Sequence, residues 1–188
     1  MPDKGYLKKI RDLCSRNDVV FIFDEITSGW RENLGGIHKK FKIYPDIAVY
    51  SKAISNGYPL SCIAGKHKVM KHSESSFISS ANWTERTGFA AALATIEYMD
   101  KFKTQKKIIT IGKTIKKKWK TISDKYSVKI YITGLDALPT FSFKDIDNDI
   151  AMTYFTQEML RKKILASGQF FPTIAHKQKI LKKYFDNF

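Results

Sequence analysis

Val19-Val20-Phe21-Ile22-Phe23-Asp24-Glu25 is the stretch on which the reading of the fold turns. Its first five residues are all β-branched or aromatic, and the run stops at an acidic pair. An unbroken apolar run of this length predicts a strand buried on both faces, as in a parallel sheet. Open α/β sheets bind ligands in the crevice beyond the carboxyl ends of their strands, which gives the Asp24 carboxylate a functional position.

Downstream, Asp46-Ile47-Ala48-Val49-Tyr50 follows Pro45 as a second predicted strand and runs into Ser51-Lys52. Asn56-Gly57 and Tyr58-Pro59 then signal turns. If the two strands are neighbours, an acid and an amine share one crevice. A partly desolvated lysine loses proton affinity, and its free amine can attack a carbonyl to form a Schiff base. A carboxylate facing a pyridinium nitrogen keeps that nitrogen protonated and makes pyridoxal phosphate (PLP) an electron sink. The pair suits PLP chemistry.

Upstream, Tyr6 to Cys14 has apolar residues at helical spacing and ends at Asn17-Asp18, so the chain opens as an αβ unit. Thr27 to Phe41, with Gly29, Gly35 and Gly36, reads as an irregular loop over the crevice, where Trp30 is a packing residue and Arg31 an exposed one. Farther on, Ile108, Ile111, Ile115, Trp119 and Ile122 form one helical stripe. Val128–Ile132 and Thr140–Phe143 alternate as half-buried strands with Gly134 and Pro139 between them. Ile150 to Ala166 reads as a helix stopped by Ser167-Gly168. Parallel-sheet alternation is lost here, which predicts a first domain over 1–103 and a small α+β domain over 104–188.

The runs Ile22–Arg31, Tyr44–Ile47 and Ser51–Leu60, with Gly65, Phe77–Ser80, Ala90–Ala94 and Ile164–Phe170, resemble the class III PLP-dependent aminotransferases, in particular the glutamate-1-semialdehyde aminomutase branch. The resemblance implies the α/β aspartate aminotransferase-like fold, with 1–103 as part of the PLP-binding large domain. It implies that Lys52 forms the internal aldimine, that Asp24 pairs with the pyridine nitrogen, and that Ile26 packs on one face of the ring. In the family a threonine before the alanine-rich helix binds the cofactor phosphate. Ala81 stands at that place, so Ser80 or Thr84 is left to supply the hydroxyl, and both also fit as helix caps.

The family's phosphate-cradling turn and the residue covering the other ring face lie upstream of the Asp24 strand, so the chain resembles the second half of a complete enzyme. The expectation is a homodimeric, cytoplasmic aminotransferase or aminomutase acting on a small amino donor and a carbonyl acceptor, N-terminally truncated here and with little turnover alone. The alternative is a non-catalytic dimerisation or interaction remnant, its apolar faces left open.

An apolar strand ending in Asp-Glu also fits a P-loop ATPase, and Gly112-Lys113-Thr114 looks like the end of a phosphate loop. Lys107 stands where that loop needs its first glycine, and the order of strand and loop is reversed. The net charge of +15, from 33 Lys+Arg against 18 Asp+Glu, comes from scattered lysines without an arginine-aromatic module. That pattern fits solvated helix faces and predicts no specific nucleic-acid partner. Cys14 and Cys62 form no metal or redox spacing, His38, His67, His72 and His176 form no metal-ligand pattern, and no apolar stretch reaches membrane-spanning length.

Overall fold

In the computed structural model, which describes residues 2–83 and 85–188, the strands of Asp24 and Lys52 are direct neighbours. β1 (Ile22–Asp24) and β2 (Ile47–Tyr50) run parallel, with Ile22 beside Ile47, Phe23 beside Ala48 and Asp24 beside Val49. β3 (Cys62–Gly65) pairs antiparallel on the other side of β2, giving the order β1-β2-β3.

The apolar run therefore forms a shorter and more open strand than its composition predicts. β1 begins only at Ile22, and Val19, Val20 and Ile22 are each about half exposed. Among the described residues β1 pairs on one edge only, and the exposure of Ile22 shows that one of its faces is uncovered as well. Phe23 is half-buried while Ile22 is exposed, the alternation of a half-covered strand.

Asp46 fixes the opposite, amino-terminal end of this sheet. Its Oδ2 accepts hydrogen bonds from Arg11 Nη1 at 2.6 Å and from the Phe21 N–H at 2.8 Å, and its Oδ1 lies 2.8 Å from Lys66 Nζ. Arg11 belongs to α1 (Tyr6–Arg16), so one carboxylate ties the first helix, the entry to β1, the start of β2 and the exit from β3. The loop after β1 closes with α2 (His38–Phe41), and β3 leads through α3 (His67–Met70) to α4 (Arg86–Phe102). Glu85 caps α4 by accepting from the Thr87 N–H at 2.9 Å.

The chain divides into two compact units, 1–105 and 106–188. α5 (Thr104–Tyr126) carries it into the second, whose hairpin is β4 (Ile130–Leu135) and β5 (Leu138–Phe143), followed by α6 (Asn148–Arg161) and α7 (Gln178–Phe185). The predicted stripe on α5 is its core face: Ile115 and Trp119 are fully buried and cluster with Phe141, Met159 and Tyr184. Trp119 meets Phe141 edge-on at 4.9 Å, and its Nε1 donates to Tyr184 Oη at 2.9 Å, so the buried indole is satisfied.

Two sequence expectations change here, the hairpin turn and the end of α6, and the discounted phosphate loop falls away. Gly134 and Pro139 lie opposite each other inside the β4–β5 ladder, and the strands turn at Asp136-Ala137. α6 starts at Asn148, capped by Asp147, and stops at Arg161, five residues before the expected end. There Lys163 turns left-handed (φ 58°) and the Ile164 N–H bonds back to the Met159 carbonyl, a helix stop made without glycine. Gly112-Lys113-Thr114 lies in the middle of α5 and is no phosphate loop. A Cβ on Gly112 would stand 1.6 Å from the Asp136 carbonyl oxygen, so this glycine lets the hairpin turn lie against the helix. No helix among the described residues is long and apolar enough to cross a membrane.

Candidate active site

Because β1 and β2 are parallel neighbours, Asp24 at the end of one and Lys52 two residues beyond the other leave the sheet at the same edge. Asp24 Oδ1 accepts from the Ile26 N–H at 2.9 Å, an Asx-type turn that orients the carboxylate as the strand ends. Lys52 leaves β2 through an abrupt change of backbone. Ser51 is extended, and its hydroxyl donates to the Leu60 carbonyl at 3.0 Å, whereas Lys52 adopts φ +51° as it opens a 3-10 turn through Ser55. A left-handed conformation costs a residue with a Cβ about 1 kcal/mol or more, and such strain concentrates at functional positions.

The two strand ends meet through a side chain. Lys52 Nζ donates to Thr27 Oγ1 at 2.7 Å, and Thr27 lies in the turn that follows Asp24. Both Lys52 and Asp24 are exposed. The partial desolvation of the lysine expected from the sequence is therefore not provided by the described residues.

Beneath this edge is a buried polar network. Glu25 is fully buried; its Oε1 accepts from the His38 N–H at 2.9 Å and lies 3.0 Å from His38 Nδ1, and its Oε2 accepts from Ser28 Oγ at 2.5 Å. The Glu25 backbone donates to Val49 O and accepts from the Gly29 N–H, so the residue is held by both β2 and its own turn. A Cβ on Gly36 would stand 2.7 Å from Glu25 Oε1 and 2.3 Å from His38 Nδ1, which leaves room only for glycine where the loop passes the pair. The sequence reading gave His38 an ordinary packing role and passed over Glu25. Strand alternation could have found it, since the neighbour of an outward carboxylate points inward.

Trp30 lies against Tyr50, ring centroids 6.1 Å apart. Arg31 is half-buried where an exposed side chain was expected; its Nε donates to the Thr27 carbonyl at 3.0 Å, and burial lowers its pKa from the ordinary value. Burial, with the Glu25 charge nearby, raises the pKa of Tyr50. Ile26 is half-buried directly after the acidic pair. Ser80 is exposed, and its carbonyl accepts from the Trp83 N–H. Thr84, the other candidate for a phosphate contact, lies outside the described residues.

Lys52 and Asp24 thus leave the sheet at one edge, with the Thr27 hydroxyl on the lysine amine and the Glu25 network behind them. The family model for class-III aminotransferases matches residues 1–175. A 3-aminobutyryl-CoA aminotransferase of Cloacimonas acidaminovorans is 30% identical over 162 residues, covering 84% of this chain and 39% of that protein. A glutamate-1-semialdehyde 2,1-aminomutase of Lachnoclostridium phytofermentans is 27% identical over 173 residues, covering 86% of this chain and 39% of that protein. The chain thus spans about two fifths of the length of these curated relatives. Among solved structures, a PLP-bound transaminase superposes with a TM-score of 0.90 at 19% identity, over 100% of this chain and 47% of that one. The FumI protein of Sphingopyxis sp. MTA144 superposes with a TM-score of 0.89 at 20% identity, over 97% and 44%. These likenesses show the fold of PLP-dependent transaminases.

Proposed function

Since the chain belongs to the class-III aminotransferase family, we propose that Lys52 and Asp24 hold PLP and that the whole protein transfers or migrates an amino group on a small molecule. One observation carries this reading: β1 and β2 pair in parallel, so Asp24 and Lys52 leave the sheet at one edge, where Thr27 in the turn after Asp24 accepts from the Lys52 amine. The donor set fits the cofactor, with a primary amine to hold its aldehyde and a carboxylate to face its pyridine nitrogen. Ile26 is the residue to pack on a ring face, and Ser80 or Thr84 the hydroxyl for the phosphate.

When bound, PLP supplies an electron sink that makes the carbon bearing the substrate's nitrogen acidic. The chain's own groups do the rest. Lys52 Nζ is the nucleophile and then, when free, the base that removes a proton from one substrate carbon and delivers it to another position. The Asp24 carboxylate, aimed by the Ile26 N–H, favours a proton on the facing ring nitrogen. The Glu25–His38–Ser28 network fixes the turn that carries Asp24 and Thr27.

In this reading residues 1–103 are the C-terminal part of the PLP-binding domain, and 104–188 are the small domain of a cytoplasmic homodimer. The test is reductive trapping: incubation with PLP, borohydride reduction and peptide mapping by mass. The phosphopyridoxyl group should appear on Lys52 ahead of the other lysines. Labelling spread evenly over the surface lysines would overturn the assignment.

The second reading, a dimerisation or interaction remnant without catalysis, draws on the one-sided pairing of β1 and on exposed Val19, Val20 and Phe77, the last 96% exposed. Even labelling together with self-association in sedimentation would favour it.

A further inference from the structure

Thr27 lies in a run that carries the family resemblance but is given no role there, yet its hydroxyl is where the Lys52 amine is held, at 2.7 Å. We propose that Thr27 is a positioning residue for Lys52: its hydroxyl keeps Nζ over the carboxyl edge of the sheet whether the amine is charged or free. The inference rests on the reading of Lys52 as the cofactor lysine and adds a residue to it.

A lysine amine sits on a flexible four-carbon stem, and an exposed one samples many rotamers. A residue that is to fix it through a reaction must suit two protonation states. A carboxylate at this place would favour the ammonium alone, and an aliphatic side chain would let the amine swing free. A hydroxyl accepts from the ammonium and can donate to the neutral amine, so it serves both.

Thr27 is itself well fixed for the task. Its carbonyl accepts from Arg31 Nε at 3.0 Å. The next residue, Ser28, bonds to the fully buried Glu25, and the Gly29 N–H closes the turn onto the Glu25 carbonyl at 2.8 Å. β-branching stiffens χ1 further. On the other side of the bond, Lys52 is held at φ +51° between an extended Ser51 and the buried Ile54 and Ser55, so its Cα is fixed while the stem beyond it is exposed. The Thr27 contact supplies the constraint the exposed stem otherwise lacks. Asp24 is already engaged by the Ile26 N–H through Oδ1.

The test compares the full chain with Thr27→Val, Thr27→Ala and Thr27→Ser. Each protein is exposed to PLP for short, timed intervals and reduced with borohydride. Labelling of Lys52 is read by peptide mapping against Lys182, an exposed lysine of the second unit, in the same digest. Thr27→Val and Thr27→Ala should slow labelling of Lys52 relative to Lys182 by about threefold to tenfold, the range of one hydrogen bond in contact with water. Thr27→Ser should stay within about twofold of the wild type, and thermal melts should coincide for the variants used. Two hydroxyl-free variants guard against a single misfolded protein. Wild-type rates at Thr27→Val and Thr27→Ala would overturn the role of Thr27 and leave Lys52 as the cofactor lysine. A wild type in which Lys52 reacts no faster than Lys182 would overturn the reading of Lys52 itself, and this inference with it.

Discussion

Trp119 and Glu25 are both fully buried, one in each unit, and their surroundings are opposite in kind. Around Trp119 the second unit packs Ile115, Phe141, Met159 and Tyr184, with Phe155 and Phe188 meeting Phe141 edge-on. Around Glu25 the first unit places His38, Ser28 and Gly36, and its other buried residues include Asp46, Ser55 and Glu32. Apolar burial is non-directional and stabilises roughly in proportion to area, so it tolerates small shifts. A buried polar network stabilises only when its donors and acceptors meet in good geometry. The second unit's interior thus serves stability, while the first adds to its own buried Ile37, Ala48, Ile54, Ala92 and Met99 a polar network that fixes a few side chains at a sheet edge.

The sharpest break of this comparison is Trp119→Ala. Loss of the indole should cost about 3–5 kcal/mol, read as a lower urea midpoint. Hydrogen exchange should place the loss in the amides of 106–188. Equal loss of protection in β1 and β2 would mean that the two interiors open as one, and the contrast would fall.

Glu25→Ala comes next. It strands the His38 N–H and the Ser28 hydroxyl in a buried place, at a cost of about 1–3 kcal/mol. Exchange should quicken from Glu25 to His38 and leave α5 to α7 as they were. A neutral result would mean that the network is dispensable.

Asp46 sharpens the comparison through pH. Burial works against its charge, but hydrogen bonds from Lys66, from the Phe21 N–H and from Arg11 outweigh this and hold its pKa well below the usual carboxylate range. A carboxyl whose pKa is depressed on folding adds stability that is present above its unfolded pKa, about 3.9, and is lost as pH falls toward the folded value. The first unit should therefore lose protection on acidification below about pH 4. Asp46→Asn should be less stable at neutral pH and flatter over that acid range. A wild type and variant with parallel acid profiles would refute the clamp.

The smallest effect tests the strain at Lys52. Asn tolerates the left-handed backbone that Lys52 adopts, so Lys52→Asn should be more stable than Lys52→Ala by about 1 kcal/mol. Equal melting temperatures would mean that the conformation carries no strain.

How much of this was legible in the sequence depended on whether the signal was local. The α5 stripe was legible because a 3.6-residue period reports burial directly, and it led to Ile115 and Trp119. The parallel placement of the Asp24 and Lys52 strands was legible because both apolar runs end in reactive groups. The end of α6 was not, because Lys163 takes the left-handed stop that Gly168 seemed to mark. β3 was missed because Cys62-Ile-Ala-Gly is short and depends on its pairing with β2. Burial of Glu25 against His38, and the reach of Lys52 to Thr27, depend on contacts 13 and 25 residues apart in sequence, which no window contains.

The central claim is that the edge shared by β1 and β2 holds PLP through Lys52. Its most direct test is the visible absorbance spectrum of the chain titrated with PLP, beside the Lys52→Ala variant. The account predicts a saturable band in the wild type that borohydride bleaches and that Lys52→Ala lacks. Superimposable titrations of the two proteins would contradict it.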